Sequence, residues 1–129
     1  VVREDIDART EGFASRLGEK GTRLSGGQRQ RVAVARALIR RPDLLLLDDV
    51  FSALDYRTQT ELVENLREVE AGRTTLIVSQ RIAAVKHARF ILVMDGGRIA
   101  ETGTHDELIA AGGLYYRLYE QQLAAGELS

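Results

Sequence analysis

Four consecutive leucines followed directly by two aspartates constrain the fold of this chain more than any other feature. The run is Leu44–Leu47, and Asp48 and Asp49 follow it without a spacer. Apolar residues without polar alternation are typical of a strand that is buried on both faces, as in a parallel sheet covered by helices. The sequence therefore predicts a covered parallel sheet, with two carboxylates at the carboxyl end of one strand.

On these residues alone, two interpretations of the Asp48–Asp49 pair stay open. Ligands of open α/β sheets bind beyond the carboxyl ends of the strands, and two adjacent carboxylates repel each other unless a cation or a proton intervenes. A magnesium ion with a phosphate ligand meets this requirement, because Mg²⁺ is commonly held by one or two carboxylates together with phosphate oxygens. The structural alternative is a strand that ends in an aspartate-capped turn.

Composition argues against several classes of function. The 129 residues carry a net charge of -1 with both signs interspersed, so the broad basic surface of a nucleic-acid-binding protein is absent. The chain has no cysteine and only two histidines, which leaves no disulfide framework and argues against a zinc cluster. No apolar run reaches the about 20 residues of a membrane-spanning helix. Because the chain begins at Val1 rather than Met, we expect it to be a fragment.

Helices and strands alternate along the chain. Apolar residues at helical spacing predict helices over residues 28–40 and 58–70, ended by Pro42 and Gly72. The other predicted elements are strands at 74–79 and 90–94, a short helix at 82–88, a hairpin turn at Gly96–Gly97, a capping box at Thr104–Glu107, and two last helices separated at Gly112–Gly113. The alternation predicts an α/β fold with a mostly parallel sheet and helices packed on it.

The sequence Leu-Ser-Gly-Gly-Gln-Arg-Gln-Arg, residues 24–31, opens the first of these helices. Ser25 supplies a hydroxyl group, and Gly26 and Gly27 leave backbone N–H groups unshielded at the positive end of the helix dipole, which suits a phosphate. By itself, however, a Ser-Gly-Gly sequence is more often an ordinary helix N-cap. The segments that follow it along the chain favour the phosphate site.

The order of these segments closely resembles the ABC ATPase family over essentially the whole chain. The matching features are the segment 24–31 with its helix, Pro42, the leucine strand with Asp48, and the sequence Ser52-Ala53-Leu54-Asp55. Two further segments resemble exporter-type members, namely Asp95–Leu108 and Leu17–Gly21, the second of which senses the membrane domains in the family. The resemblance implies a partial P-loop NTPase (RecA-like) core. Residues 1–28 would end the helical signature subdomain, and residues 29–129 would form the C-terminal half of the ATPase core, including a β-hairpin and helices.

The resemblance also implies roles for single positions. In the family, the residues that match Ser25–Gln28 contact the γ-phosphate of ATP held by the opposite subunit. Asp48 matches the Walker B aspartate that holds Mg²⁺, usually through water, and Ser52–Asp55 match the loop that communicates between the two sites. The implied partners are a second ABC nucleotide-binding domain and the transmembrane domains of an exporter, at the cytoplasmic face of a membrane, which we expect to be a bacterial inner membrane.

Two positions depart from the family pattern, and both concern hydrolysis. Asp49 stands where briskly hydrolysing members have a glutamate that orients the attacking water, and a carboxylate withdrawn by about 1 Å can lower a rate on the order of 10²-fold. Gln80 stands where the family normally has a histidine that contacts the γ-phosphate, and glutamine cannot become a cation. Together the two changes resemble the degenerate half of a heterodimeric ABC exporter. We therefore predict slow ATP hydrolysis at the site that contains Asp49 and Gln80. We also predict that the partner subunit is not identical to this one.

The phosphate-binding loop of the family is missing, because the chain has no Gly-x-x-x-x-Gly-Lys-Ser/Thr sequence. We therefore expect the isolated chain to bind ATP weakly and to be inactive. Several other residues receive structural interpretations. These are the two histidines His87 and His105, a solvated helix face with Arg29, Arg36 and Arg40, and the packed tyrosines Tyr115, Tyr116 and Tyr119.

Two other classes of function stay open. The first is a purely regulatory, non-hydrolytic ATP-binding and dimerisation module, which would differ from an exporter ATPase in its turnover. The second is a chromosome-maintenance ATPase, whose head domain shares the sequence of residues 24–31. Long heptad segments should then adjoin the head domain, whereas residues 1–22 are interrupted by glycines.

Overall fold

The computed structural model describes residues 2–9, 11–16, 18, 24–69 and 72–128. The chain divides into two compact units, residues 1–78 and 79–129. The division at residue 28 that the resemblance implies stays a prediction. Of the predicted membrane-sensing segment, residues 17–21, only Gly18 lies among the described residues.

The first unit contains helices and one pair of strands. Its elements are α1 (Val2–Asp7), a 3-10 turn (Gly12–Ala14), α2 (Gly26–Ile39), β1 (Leu44–Asp48), α3 (Tyr56–Val69) and β2 (Thr74–Val78). The predicted helices are confirmed, but α2 and α3 each begin two residues earlier than the apolar pattern indicated. Each start is set by a capping side chain, because Ser25 Oγ accepts the N–H of Gln28 and Asp55 Oδ1 accepts the N–H of Thr58.

The two strands of the first unit are parallel, as predicted. The register pairs Leu44 with Thr74 at one end and Asp48 with Val78 at the other. The Asp49 N–H then donates to the Val78 carbonyl at 2.9 Å, which extends the pairing by one residue. The two strands therefore end side by side at the pair of aspartates.

The predicted burial of the leucine strand on both faces is wrong. Leu45 and Leu47 are 3% and 2% exposed, whereas Leu44 and Leu46 are 61% and 59% exposed. The parallel register places the half-exposed side chains of Leu76 and Val78 on the same open face as Leu44 and Leu46. In the part of the first unit that the structure describes, helices cover one face of this two-stranded sheet and not the other. A run of leucines therefore does not show whether other elements cover both faces of the strand.

The second unit consists of short helices around a hairpin. Its elements are α4 (Ile82–Val85), β3 (Ile91–Asp95), β4 (Arg98–Gly103), α5 (His105–Ala111) and α6 (Leu114–Ala124). The predicted hairpin is confirmed, and β3 and β4 are antiparallel. Gly96 and Gly97 both have positive φ, 53° and 74°, which is the backbone of the two-residue turns that match the twist of paired strands.

Helices α5 and α6 pack through their aromatic residues. The capping box that the sequence predicts at the start of α5 is confirmed, because Thr104 and Glu107 each accept a hydrogen bond from the other's backbone N–H. Tyr115 is buried, its hydroxyl group lies 2.9 Å from His105 Nδ1, and burial raises its pKa to about 12. The ring of Tyr119 forms a T-shaped pair with the same imidazole, with 5.7 Å between the ring centroids. These contacts support structural roles for Tyr115 and His105.

Helix α6 begins at a close approach between Gly113 and the carboxylate of Glu101 on β4. That carboxylate accepts the N–H groups of Leu114 at 2.6 Å and of Tyr115 at 3.0 Å. A side-chain carbon at position 113 would collide with Glu101 Oε1 and would lie 2.7 Å from its Cδ. Only glycine therefore allows the carboxylate to reach the start of the helix.

We expect Gly113→Ala to lower the free energy of unfolding by about 2 kcal/mol, because the methyl group displaces a carboxylate that holds two backbone donors. Thermal unfolding measures this loss. In a Glu101→Ala background the same change should cost much less, because the colliding atoms are gone. An equal cost in both backgrounds would contradict the role given to Glu101.

Candidate functional site

The start of α2 is organised by a reciprocal pair of hydrogen bonds. Ser25 Oγ accepts the N–H of Gln28 at 3.2 Å, and the Ser25 N–H donates to Gln28 Oε1 at 3.0 Å. This capping box satisfies backbone groups that helix starts otherwise leave without partners. Ser25 is exposed, and a serine hydroxyl that accepts one hydrogen bond can still donate another. The helix start therefore presents a hydroxyl donor in a fixed position at the surface.

The same helix start packs against the loop that follows β1. A side-chain carbon at Gly27 would lie 3.1 Å from the Ala53 carbonyl oxygen and 3.1 Å from Leu54 Cδ2, and one at Gly26 would lie 3.6 Å from Ala53 Cβ. A side chain at position 27 would thus be crowded by the loop, whereas the backbone angles of Gly27 do not call for glycine. The structure brings the predicted phosphate-binding residues and the predicted communicating loop into direct contact.

Gln30 binds this loop through both groups of its side-chain amide. Its Nε2 donates to Ser52 Oγ at 3.3 Å, and its Oε1 accepts the N–H of Ala53 at 3.3 Å. Sequence reasoning did not single out Gln30, although it lies inside the segment 24–31. The one signal for it is its spacing, because residues four apart on a helix share a face and Gly26 already faces the loop.

The loop after β1 is anchored in the core of the first unit. Phe51 is fully buried and Leu54 nearly so, while Ser52 and Ala53 between them are exposed. Ser52 Oγ also donates to the Asp49 carbonyl at 3.0 Å. Two buried side chains and one turn hydrogen bond therefore hold an exposed pair of residues against the start of α2.

Asp48 and Asp49 stand exposed where β1 ends. Asp48 is the last residue of the strand, and its position in the register places it on the open face with Leu46. Asp49 has φ of 48°, a left-handed backbone that aspartate tolerates better than most residues. The turn after the strand is closed by the Asp49 carbonyl, which accepts from Ser52, so the carboxylate is not needed for it.

The aspartate pair has the donor chemistry that magnesium requires. Among the described residues, no group of three or more His, Asp or Glu side chains is placed to hold a metal ion by itself. Mg²⁺ does not need such a group, because it is usually bound through one or two carboxylates together with substrate phosphates and water. The exposed carboxylates of Asp48 and Asp49 at the carboxyl end of a strand fit that kind of site.

Asp55 caps the start of α3 at the end of the same loop. Its Oδ1 accepts the N–H of Thr58 at 3.0 Å. Hydrogen bonds from the backbone and the side chain of Thr58, helped by the charge of Arg31, lower the pKa of Asp55 below its ordinary value of 3.8. Asp55 therefore has a structural role in addition to the one that the family resemblance implies.

The Asp55 cap should make part of the free energy of unfolding depend on pH in the acid range. A carboxyl group with a lowered pKa stabilises the fold above its ordinary value of 3.8, and this contribution disappears as the pH falls through the folded-state pKa. Asp55→Asn keeps a good cap without a titrating charge. Between about pH 5 and pH 2 the melting temperature of this variant should therefore fall less steeply than that of the native chain. Equal slopes in thermal unfolding would contradict this assignment.

Gln80 belongs to the second unit, where it is exposed in the segment before α4. The backbone of that segment is held at two places. The Arg81 N–H donates to Ser79 Oγ at 3.0 Å. Gln122 on α6 donates through Nε2 to the Gln80 carbonyl at 2.8 Å and accepts the Ile82 N–H through Oε1 at 2.9 Å. Sequence reasoning missed Gln122, since nothing in the pattern of α6 connects it with a segment about forty residues earlier.

Comparison with known proteins identifies the class of this protein. The family model described as ABC transporter matches residues 6–52. The chain is 50% identical over 119 residues to the probable multidrug resistance ABC transporter ATP-binding/permease protein YheI of Bacillus subtilis, which covers 92% of the chain and 20% of that protein. It is 46% identical over 121 residues to the ATP-dependent lipid A-core flippase of Bordetella avium, which covers 94% of the chain and 20% of that protein.

A solved structure agrees with these relatives. The structure of a bacterial Atm1-family ABC exporter with ATP bound is similar with a TM-score of 0.86 at 39% identity, over 92% of this chain and 21% of that one. The chain belongs to the ABC transporter family and is homologous to the nucleotide-binding domains of ABC exporters. The predicted fold class, a partial P-loop NTPase core of the α/β type, is thereby confirmed.

The chain spans about a fifth of the length of the relatives that it matches. Among the residues that the structure describes, none of the helices has the length and apolar character that crossing a bilayer requires.

Proposed function

We propose that this chain is part of the ATP-binding subunit of an ABC exporter, which couples ATP binding and hydrolysis at a dimer interface to substrate export across a membrane. The partners would be the transmembrane domains and a second, non-identical nucleotide-binding domain at the cytoplasmic face. The observation that carries the proposal is the contact between the start of α2 and the loop 52–55. Two elements that the family uses at the interface are packed together here.

In this proposal the start of α2 binds the γ-phosphate of ATP that the partner subunit holds. The exposed hydroxyl of Ser25 donates to the phosphate, and so do the N–H groups of Gly26 and Gly27. The positive end of the 14-residue helix favours the negative charge. Gln28 supports the arrangement, because its side chain fixes the backbone of Ser25 at 3.0 Å.

The packing around Gln30 supports a communicating role for the loop 52–55. Gln30 joins the loop to α2 by two hydrogen bonds, and Gly27 allows Ala53 and Leu54 to approach the helix. A displacement of the loop therefore moves the helix start that contacts the partner's nucleotide. Since the loop begins three residues after Asp49, a change at this chain's own aspartate pair reaches the opposite site over a few residues.

In this proposal the chain supplies its own site with a carboxylate that holds the metal and with a phosphate contact, but not with efficient catalytic groups. When bound, Mg²⁺ supplies positive charge that stabilises the phosphate oxygens. Asp48 would hold this ion, and Asp49 would orient the attacking water from a side chain that is one methylene shorter than glutamate. Gln80 would donate a hydrogen bond to a phosphate oxygen without supplying charge. We therefore propose slow hydrolysis at this site.

The proposal predicts a difference between the isolated chain and the whole subunit. Isothermal titration calorimetry with ATP and Mg²⁺ should show no saturable micromolar binding to the 129 residues, because the family's phosphate loop is absent from them. The whole transporter should bind ATP under the same conditions. Micromolar binding by the isolated chain would show that it holds nucleotide in another way, and a transporter that fails to bind ATP would rule out the proposed function.

A further inference from the structure

The side-chain amide of Gln122 bridges two peptide groups next to Gln80. Its Nε2 donates to the Gln80 carbonyl at 2.8 Å, and its Oε1 accepts the Ile82 N–H at 2.9 Å. Both distances are in the normal range for strong amide hydrogen bonds. The two bonds hold the backbone on both sides of Arg81, and the Ser79 hydroxyl oxygen accepts the Arg81 N–H between them.

This bridge fixes the backbone from which the Gln80 side chain projects. Gln80 itself is exposed, so the position of its side chain relative to a ligand depends on where this backbone is held. The residues after it are fixed as well, because Ile82, Ala83 and Ala84 are buried. Loss of the Gln122 bonds would therefore allow the backbone at Gln80 to move, because the Gln80 side chain is not buried.

Helix α6 is a firm support for such a bridge. Its first turn is held to β4, since Glu101 accepts the N–H groups of Leu114 and Tyr115. Tyr115 is buried and pairs with His105 on α5. Gln122 lies two turns further along the same helix. Its hydrogen bonds therefore hold the segment that carries Gln80 in a fixed position relative to this packed region.

We propose that Gln122 is a positioning residue for ATP hydrolysis, which holds the Gln80 backbone so that the Gln80 amide meets the γ-phosphate. The inference rests on the proposed function, in which Gln80 contacts that phosphate. In this role Gln122, on helix α6, supports the site without contacting the nucleotide itself. A residue that acts in this way should change the rate of the chemical step more than the affinity for ATP.

The test uses the intact transporter, with the partner subunit's own hydrolysis silenced so that only the site of Gln80 is observed, and two matched variants. Gln122→Met keeps the length of the side chain but removes both hydrogen bonds, and Gln121→Met makes the same change at the exposed neighbour on α6. We expect kcat for ATP to fall about tenfold in Gln122→Met with KM changed less than about twofold, and Gln121→Met to match the native protein. A change in KM alone, or an equal loss in both variants, would overturn the inference.

A third variant tests the bonding pattern and does not depend on the methionine variant folding. In Gln122→Glu the protonated carboxyl group can donate to the Gln80 carbonyl and accept from Ile82, whereas the ionised form can only accept. Near neutral pH a partly exposed glutamate is chiefly ionised. The kcat of this variant should therefore fall although the side chain keeps its size, because its charge faces the Gln80 carbonyl oxygen. A kcat equal to that of the native protein would contradict the proposed hydrogen bonds.

The Gln80→Ala background separates failure of this inference from failure of the proposed function. If Gln122 acts through Gln80, Gln122→Met should add little to the loss that Gln80→Ala already causes. A further tenfold loss would mean that Gln122 acts elsewhere. If Gln80→Ala itself leaves turnover unchanged, the catalytic role proposed for Gln80 is wrong, and the positioning role of Gln122 is wrong with it.

Discussion

Asp49→Glu combined with Gln80→His should raise ATP turnover by the intact transporter on the order of 10²-fold at this chain's own site. The added methylene moves the carboxylate about 1 Å closer to the attacking water, and an imidazole can carry charge and exchange a proton near neutral pH. Steady-state ATPase rates of the double variant and of both single variants measure the gain. The partner subunit's own hydrolysis must be silenced first, so that only this site is observed.

Asp49→Asn provides the matched control, because it keeps the size of the side chain and removes the carboxylate. It should lower whatever hydrolysis remains, whereas the glutamate variant should raise it. The left-handed backbone at Asp49 is less suitable for glutamate, so Asp49→Glu should also lose about 1 kcal/mol of stability. Unchanged turnover in a double variant that folds and binds ATP would favour a regulatory module that does not hydrolyse ATP.

Ser25→Asp should abolish most of the transporter's ATP turnover while leaving α2 intact. Aspartate is as good an N-cap as serine, so the helix should start at the same residue. Its charge would, however, face the γ-phosphate of the partner's nucleotide, and two like charges about 4 Å apart near a protein surface repel by about 4 kcal/mol. We therefore expect a loss of at least about 10²-fold in the ATPase rate, with an unchanged melting temperature.

The neutral variant Ser25→Asn separates the charge from the shape. Asparagine has nearly the same size as aspartate, caps helices equally well and can still donate to a phosphate oxygen. It should retain much more activity than the aspartate variant. If the two variants have the same rate, the start of α2 does not face a triphosphate, and the proposed trans role of Ser25 is wrong.

Features that depend on neighbouring residues were predicted correctly from the sequence. The capping box of Thr104 and Glu107 needs atoms from only four consecutive residues, and the turn at Gly96–Gly97 needs only two positive φ angles. Both are local consequences of residue type. The helices α2 and α3 were also found, because their apolar spacing is a property of each segment alone.

Features that depend on what packs against an element could not be predicted from the local sequence. The leucine run predicted a strand correctly, but its burial on both faces was wrong, since burial depends on elements distant in the chain. The bridging roles of Gln30 and Gln122 arise from contacts with residues 22 and 42 positions away. A single glutamine is not part of a periodic sequence pattern, so no pattern predicts such a contact. The left-handed backbone at Asp49 is likewise permitted by its residue type without being required by it.

A structure of the intact transporter with ATP bound at the dimer interface would test the central claim most directly, through the distance from Ser25 Oγ to the γ-phosphate held by the partner subunit. The account predicts hydrogen-bond contact at about 3 Å, with loop 52–55 still joined to α2 by Gln30. A structure in which Ser25 faces solvent, far from any triphosphate, would contradict it.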